Sequence, residues 1–149
     1  MSINTLLGDP NVQLFVGAPQ DRLTDMVELM VENGVNSVAI IDDKNHLIGV
    51  LTDHDIMRAI HSGNGALENA QVSKWMTKKV VTCAPETKLT EALKLMGRHG
   101  IRHLVVADGA TPLVVIGIRA ILAKIHEHDE LEVNVLRDIA VATLVSNAA

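Results

Sequence analysis

The stretch GVLTDHDI, residues 49–56, joins a short apolar run to a polar segment and predicts the junction of a strand and a helix. Residues 47–51 are typical of a buried strand, and residues 53–61 have helical spacing. The first turn of such a helix carries free backbone N–H groups and the positive end of the helix dipole, which attract phosphate. Thr52 can add a hydroxyl donor there, and the Asp55 carboxylate can accept hydrogen bonds from two ribose hydroxyls.

The same spacing also has a purely structural interpretation. Thr52 and Asp55 stand three residues apart, as in a capping box, where each side chain satisfies a backbone amide at the helix start and binds no ligand. The flanking Gly49 and the duplication described next favour the ligand role. The capping box stays open as the alternative.

An internal repeat surrounds this stretch. Residues 18–24, APQDRLT, recur 66 positions later as APETKLT, residues 84–90, with four of the seven positions identical. Further positions recur in the same order: Leu29-Met30 as Leu95-Met96, Gly34 as Gly100, Asp42 as Asp108 and, after a one-residue deletion, Ile56 as Ile121 and Ile60 as Ile125. The chain is therefore the product of a duplication.

Each copy has the pattern of a β-α-β-β-α unit. The first helix of each copy places apolar residues on one face, and Gly34 and Gly100 stand where a helix end favours left-handed backbone. A unit of about 60 residues buries too little surface to be stable alone. The predicted fold class is therefore α/β, with the two repeats packed face to face and related by a pseudo-twofold axis.

The predicted domain division has four parts. A first repeat with the N-terminal segment covers 1–62, a linker covers 63–79, and a second repeat covers 80–126. The tail, 127–149, is acidic at first and then apolar, which predicts a helix that docks on the body or on a partner.

Composition argues against several classes of protein. The 149 residues carry a net charge of −5 and only 1% aromatic residues, so the chain lacks the basic face and stacking platforms of nucleic-acid binders. One cysteine, Cys83, cannot form an internal disulfide or a thiolate zinc cage, and we predict no metal site. No nucleophile and base have catalytic spacing, so we predict no catalytic residue. No signal-peptide pattern and no apolar run of about 20 residues occurs, so we expect a cytoplasmic protein and no membrane partner.

These motifs resemble a tandem pair of cystathionine-β-synthase (CBS) domains, also called a Bateman module, over roughly residues 12–125. The most specific part is 49–56, which is similar to the family's signature of Gly, two apolar residues, Ser or Thr, two variable residues, Asp and an apolar residue. Residues 76–85 and 100–106 are similar to the entrance and the first core strand of a second repeat. The resemblance implies a module that binds adenosine-containing ligands in the cleft between its repeats.

The resemblance also implies which residues hold the ligand. In the family, the site carrying one repeat's aspartate is completed by the other repeat. Arg102 and His103 occupy positions where the family often places basic residues that meet phosphates, and a solvated strand end is the alternative. His54 lies beside the expected phosphate position, with an exposed first-turn residue as its alternative. The implied site comprises Gly49, Thr52, His54, Asp55, Arg102 and His103, with Val80, Val81, Ile101 and Val105 as apolar walls.

The second copy departs from the signature. Gly117 occupies the position of Thr52, Ala120 that of Asp55, and Val114 that of Gly49. Because alanine cannot bind a diol, we expect one competent site and one degraded site.

Two functional hypotheses follow. The favoured one is a stand-alone regulatory CBS pair, not an enzyme, that binds AMP, ADP, ATP or a related adenosyl ligand, forms a homodimer and signals to an unknown effector protein. The alternative is a protein-interaction or dimerisation module whose ligand site has decayed.

Overall fold

A computed structural model describes residues 1–148 and contains two three-stranded sheets, each with its own helices. Residue 149, the last of the predicted tail, lies outside the described residues. The first repeat comprises β1 (Val16–Gly17), α2 (Leu23–Asn33), β2 (Ser37–Ile41), β3 (Leu47–Thr52) and α3 (Asp53–Ser62), after a short helix α1 (Asn4–Leu7). The second comprises β4 (Thr82–Cys83), α5 (Leu89–His99), β5 (His103–Asp108), β6 (Thr111–Gly117) and the start of α6 (Ile118–Ala148), after a short helix α4 (Val72–Trp75).

The two sheets have the same topology. In the first, β2 lies between a parallel β1 and an antiparallel β3, and in the second β5 lies between a parallel β4 and an antiparallel β6. The predicted α/β class and the β-α-β-β-α order are confirmed. The strand before each first helix is short, because only two of its residues pair with the central strand.

Glycine ends the first helix of each repeat as the sequence predicts. Gly34 and Gly100 cap α2 and α5 with φ of 64° and 63°, in the left-handed region. This conformation favours glycine because it has no Cβ. The chain therefore turns into the central strand of each sheet in the same way in both repeats.

The N-terminal segment packs on the second repeat, which differs from its predicted grouping with the first. Ile3 and Leu6 are buried in the core formed by α5, β5 and β6. The backbone N–H of Ile3 donates to the carbonyl of Thr87 at 2.8 Å, and that of Leu89 donates to Met1 at 3.0 Å. Apolar burial and these bonds hold the segment against residues that are 84 and 88 positions away in the sequence.

The predicted linker is partly built into the first repeat. Val72 at the start of α4 is fully buried in the core of the first sheet, and its N–H donates to the carbonyl of Asp21 at 2.9 Å. Further along, Thr77 pairs with Val50 in an antiparallel bridge. The connector therefore runs along β3 and enters the second repeat from there.

Direct hydrogen bonds join the two repeats. The N–H of Leu47 at the start of β3 donates to the carbonyl of Ala110 in the turn before β6, at 2.8 Å. Nε2 of His103 lies 2.9 Å from Oδ1 of Asn36. Strands β2 and β6 also approach each other, so the two sheets face one another across the junction.

Helix α6 continues 22 residues beyond the second repeat. Its start packs on the body through Ile121, which is fully buried. From residue 126 to 147 every side chain is exposed. The helix continues through the tail over the described residues, and within them it does not dock on the body.

Candidate functional site

A cavity of about 320 Å³ lies where α3 begins, between the two repeats. We call it the α3 cavity. Its floor and walls come from the start of α3, the connector before β4 and the segment that enters β5. The residues that line it are Val50, Thr52, Asp53, His54, Thr77, Lys79, Val80, Val81, Gly100, Ile101, Arg102, His103 and Val105.

Most of the residues implied by the sequence line this cavity together. They come from both repeats: Thr52 and His54 from the first, and Val80, Val81, Ile101, Arg102, His103 and Val105 from the second. Two of the implied residues, Gly49 and Asp55, are absent from its lining.

Gly49 is buried against the connector rather than in the cavity. A Cβ at this position would lie 2.6 Å from Sδ of Met76 and 3.2 Å from the carbonyl oxygen of Thr77. The glycine therefore allows the connector to pair closely with β3. It affects the cavity indirectly, because that pairing positions the segment leading to Lys79 and Val80.

Asp55 is engaged in the helix cap. The residue is 3% exposed, and Oδ2 accepts the backbone N–H of Thr52 at 2.9 Å and the Thr52 hydroxyl at 3.2 Å. Oδ1 accepts from Nη1 of Arg58 at 3.1 Å. Both carboxylate oxygens thus have partners, and the arrangement is the reciprocal capping box that the spacing also allowed.

The backbone amides at the start of α3 are also occupied. The N–H of Asp53 donates to the carbonyl of Asn36 at 3.1 Å, and that of His54 donates to the Asp53 carboxylate at 2.8 Å. A phosphate in this cavity would therefore be held by cationic side chains, since in this conformation those amides are not free to donate.

Two charged residues that line the cavity, Lys79 and Asp53, were not among the site residues predicted from the sequence. Lys79 stands in a short basic group, Lys74, Lys78 and Lys79, whose pattern is typical of solvated surface. Asp53 is the first residue of α3 and looked like a variable position of the signature. Lys79 and Asp53 line the same cavity only because the connector runs along β3 and the two repeats face each other. A pattern in the nearby sequence could not have predicted this.

His103 stands at the junction of the repeats, bonded to Asn36. Burial lowers the pKa of His103 below its ordinary value; Asp53 acts in the opposite direction and Arg102 adds to the lowering. The lowered pKa favours the neutral form of the imidazole. This form can donate or accept a hydrogen bond, and the fixed positive charges at this site are those of Arg102 and Lys79.

A second cavity of about 560 Å³ lies at the start of α6, and we call it the α6 cavity. Gly117 and Ala120 line it at the positions equivalent to Thr52 and Asp55, as the repeat predicts. Arg119 takes the position of His54. Asp53, Arg102 and His103 line both cavities and form the wall between them.

Within residues 1–148, no group of three or more His, Cys, Asp or Glu side chains is arranged to hold a metal ion. Burial raises the pKa of the Cys83 thiol, against a weaker opposing effect from Thr87, so the thiol stays protonated at neutral pH. None of the helices described is both long and apolar enough to cross a membrane.

Comparison with protein families identifies the two repeats. The family model described as "CBS domain" matches residues 14–62 and again residues 72–127. The chain belongs to the CBS-domain family. The two matched segments coincide with the two sheets and their helices, so the molecule is a CBS-domain pair.

Relatives and solved structures agree with this assignment. The CBS domain-containing protein CBSX3, mitochondrial, from Arabidopsis thaliana is 32% identical over 116 residues, which cover 74% of this chain and 56% of that protein. This CBS pair spans about half the length of the first curated relatives that it matches.

Two solved structures with the same fold contain ligands. CBSX2 in complex with AMP has a TM-score of 0.69 at 20% identity, covering 86% of this chain and 98% of that one. The CBS domain pair of protein MJ0100 in complex with 5′-methylthioadenosine and S-adenosyl-L-methionine has a TM-score of 0.75 at 16% identity, with the same two coverages. At these identities the likeness is one of fold.

Proposed function

We propose that this CBS pair is a regulatory module that binds an adenine nucleotide or another adenosyl ligand in the α3 cavity and passes its ligand state to a partner protein. The observation that carries the proposal is the composition of that cavity, whose lining comes from both repeats. A ligand there contacts the start of α3 on one side and the entry to β5 on the other. It would favour whichever arrangement of the repeats it binds more tightly.

The chemistry of the cavity suits a nucleoside with few phosphates. Val80, Val81, Ile101 and Val105 offer apolar walls to the base, and the exposed carboxylate of Asp53 can accept ribose hydroxyls. Lys79 and Arg102 exceed this carboxylate by one positive charge, which fits a monophosphate better than a triphosphate. Its volume of about 320 Å³ is at the lower end of the range for small-molecule pockets. AMP is therefore the favoured nucleotide, and AMP, S-adenosylmethionine and methylthioadenosine are the ligands of the two similar structures.

The proposal is tested by a thermal-shift screen with AMP, ADP, ATP and S-adenosylmethionine, followed by calorimetric titration. A ligand at 100 times its dissociation constant should add about 2.7 kcal/mol to the free energy of unfolding. We expect one competent site per chain, because Gly117 replaces the hydroxyl of Thr52 in the α6 cavity and both cavities depend on Arg102. Two equivalent nucleotides per chain would refute the single site, and no shift with any adenosyl compound would refute the regulatory proposal.

The second candidate function is a protein-interaction or dimerisation module without a ligand. The observation in its favour is the capping box, because Asp55 has no carboxylate oxygen left without a partner. The cationic side chains of the α3 cavity, Lys79 and Arg102, are the observation against it.

Substitution of Asp55 by alanine separates its two roles. We expect Asp55→Ala to lower the free energy of unfolding by about 1–2 kcal/mol, because the cap of α3 is lost, and to leave AMP affinity nearly unchanged. Urea denaturation and AMP titration measure the two effects. Asp25→Ala, which removes an exposed carboxylate from the first turn of α2, is the matched control and should cost less than about 0.5 kcal/mol. Loss of AMP binding with unchanged stability would assign Asp55 to the ribose instead.

The remaining parts of the proposal concern the setting of the module. We propose that it performs no catalysis itself, acts in the cytoplasm, forms a homodimer and has an effector protein as the recipient of its signal. Neither nucleic acid nor membrane is among the proposed partners.

A further inference from the structure

Residues 126–147 form the part of α6 that does not pack on the body, and we call them the free part of α6. This part exposes an unusual amount of apolar surface. Eight side chains between residues 131 and 145 are 48–69% exposed: Leu131, Val133, Val135, Leu136, Ile139, Val141, Leu144 and Val145. Exposed apolar side chains scattered singly are normal, but a contiguous group of this size marks an interaction surface.

These side chains are distributed around the helix rather than along one stripe. Leu131, Val135 and Ile139 follow one another at four-residue spacing and form a ridge, which Ala142 continues. Val133, Val141 and Leu144 lie on the opposite side. A helix that is apolar on all sides is normally buried, so we expect this segment to pack against a surface that its own chain does not provide.

The charge of this segment argues against binding to a lipid surface. The stretch 127–147 has five carboxylates and a single cation, Arg137. Helices that lie on membranes combine one apolar face with a polar face rich in Lys and Arg. This segment has neither feature, and its carboxylates would be repelled by anionic lipid.

We infer that the free part of α6 pairs in antiparallel orientation with the same helix of a second copy of the chain. The inference extends the homodimer proposed above by assigning its surface. Centring the pair near Arg137 places Val135 opposite Ile139 of the second copy and Leu131 opposite Ala142. Each large residue of the ridge then faces an apolar one.

The distribution of charge sets the orientation. Four of the five carboxylates, Glu127, Asp129, Glu130 and Glu132, lie in the first third of the free helix. In a parallel pair they would stand beside their counterparts. In the antiparallel pair the two groups lie roughly 20 Å apart along the axis, beyond the screening length at physiological salt.

A single pair buries only the ridge side of each helix. The eight side chains together expose roughly 500 Å² of apolar surface per chain, so two associated pairs have roughly 2,000 Å² available, more than the roughly 1,000 Å² that a specific interface needs. A pair leaves the side with Val133 and Leu144 open, and association of two pairs would cover that side.

Sedimentation of the full chain without ligand tests the pairing. We expect a dimer or an even-numbered assembly for the native chain and a monomer for the double variant Val135→Asp, Ile139→Asp. The matched control is Val31→Asp, Met57→Asp, which places the same charges on the exposed apolar patch between α2 and α3. A monomeric native chain, or an assembly that only the control variant breaks, would overturn the inference. Retained AMP binding in the monomeric variant would show that the tail and the nucleotide site are independent.

Cysteine cross-linking tests the orientation. Because Cys83 is buried, an introduced cysteine on the tail is the one that reacts with a mild oxidant. Asp138→Cys lies near the centre of the antiparallel pair and should form a disulfide between two copies, whereas Leu131→Cys should not, because its counterpart is too distant. Efficient cross-linking at Leu131→Cys would show a parallel pair and overturn the proposed orientation.

Discussion

Replacement of Arg102 by glutamine should weaken the binding of AMP about ten- to hundred-fold. Arg102 lines the α3 cavity and supplies one of its two fixed cations, while the backbone amides at the start of α3 already have partners. A hydrogen bond to a charged group contributes about 1.5–3 kcal/mol, and 1.4 kcal/mol corresponds to a factor of ten in affinity. Calorimetric titration of the native chain and the variant with AMP measures the loss.

The controls for Arg102→Gln separate a local effect from a general one. Arg98→Gln removes the same charge from an exposed position near the end of α5, outside both cavities, and should leave the affinity for AMP within about twofold. Adenosine, which has no phosphate, should bind the native chain and Arg102→Gln equally well. Equal AMP binding by the two variants, or an equal loss for adenosine, would contradict a phosphate contact at Arg102.

Arg102 lines both cavities, and this affects ligand binding in the α6 cavity. Because Asp53, Arg102 and His103 form the shared wall, a phosphate in one cavity uses a cation that the other would need. The side chain can satisfy one phosphate fully and two only in part. This sharing provides a physical reason, besides the loss of the Thr52 hydroxyl at Gly117, for expecting one tightly bound nucleotide per chain.

The fold could be predicted because its signals are local and occur twice. The four-residue identity between 18–24 and 84–90 established the repeat, and the left-handed positions of Gly34 and Gly100 marked the helix ends. Spacing in the tail indicated a helix there, and α6 runs through the described part of it. Each of these features depends on residues close together in sequence, where periodicity and backbone preference act.

The composition of the cavity could be predicted only in part. The apolar walls, such as Ile101 and Val105, were implied by the resemblance to the CBS family, and both line the cavity. Lys79 and Asp53 were not implied, because their meeting depends on how the connector pairs with β3 and how the repeats face each other. Asp55 shows the limit most clearly: one spacing fits both a ribose ligand and a capping box, and the structure contains the capping box.

Replacement of Ile3 by alanine should lower the free energy of unfolding by about 2–5 kcal/mol, the range for removing a large aliphatic side chain from a core. Ile3 is 0% exposed and packs against the second repeat, although sequence alone grouped it with the first. Loss of its side chain leaves a cavity beside Leu89 and Met96 and weakens the attachment of α1. Urea denaturation of the full chain, with the slope of the transition compared between variants, measures the change.

The control for Ile3→Ala is Val31→Ala, at a side chain 75% exposed on α2, which should change the free energy of unfolding by less than about 0.5 kcal/mol. Hydrogen exchange distinguishes the affected repeat: amides of α5 and β5 should lose protection before those of α2 and β2, because Ile3 contacts only the core of the second sheet. Equal stability of the two variants, or loss of protection in the first repeat alone, would show that the N-terminal segment does not stabilise the second repeat. If the expected pattern holds, the unit that folds with the second sheet includes the N-terminal segment, and a boundary drawn by sequence order alone would divide it.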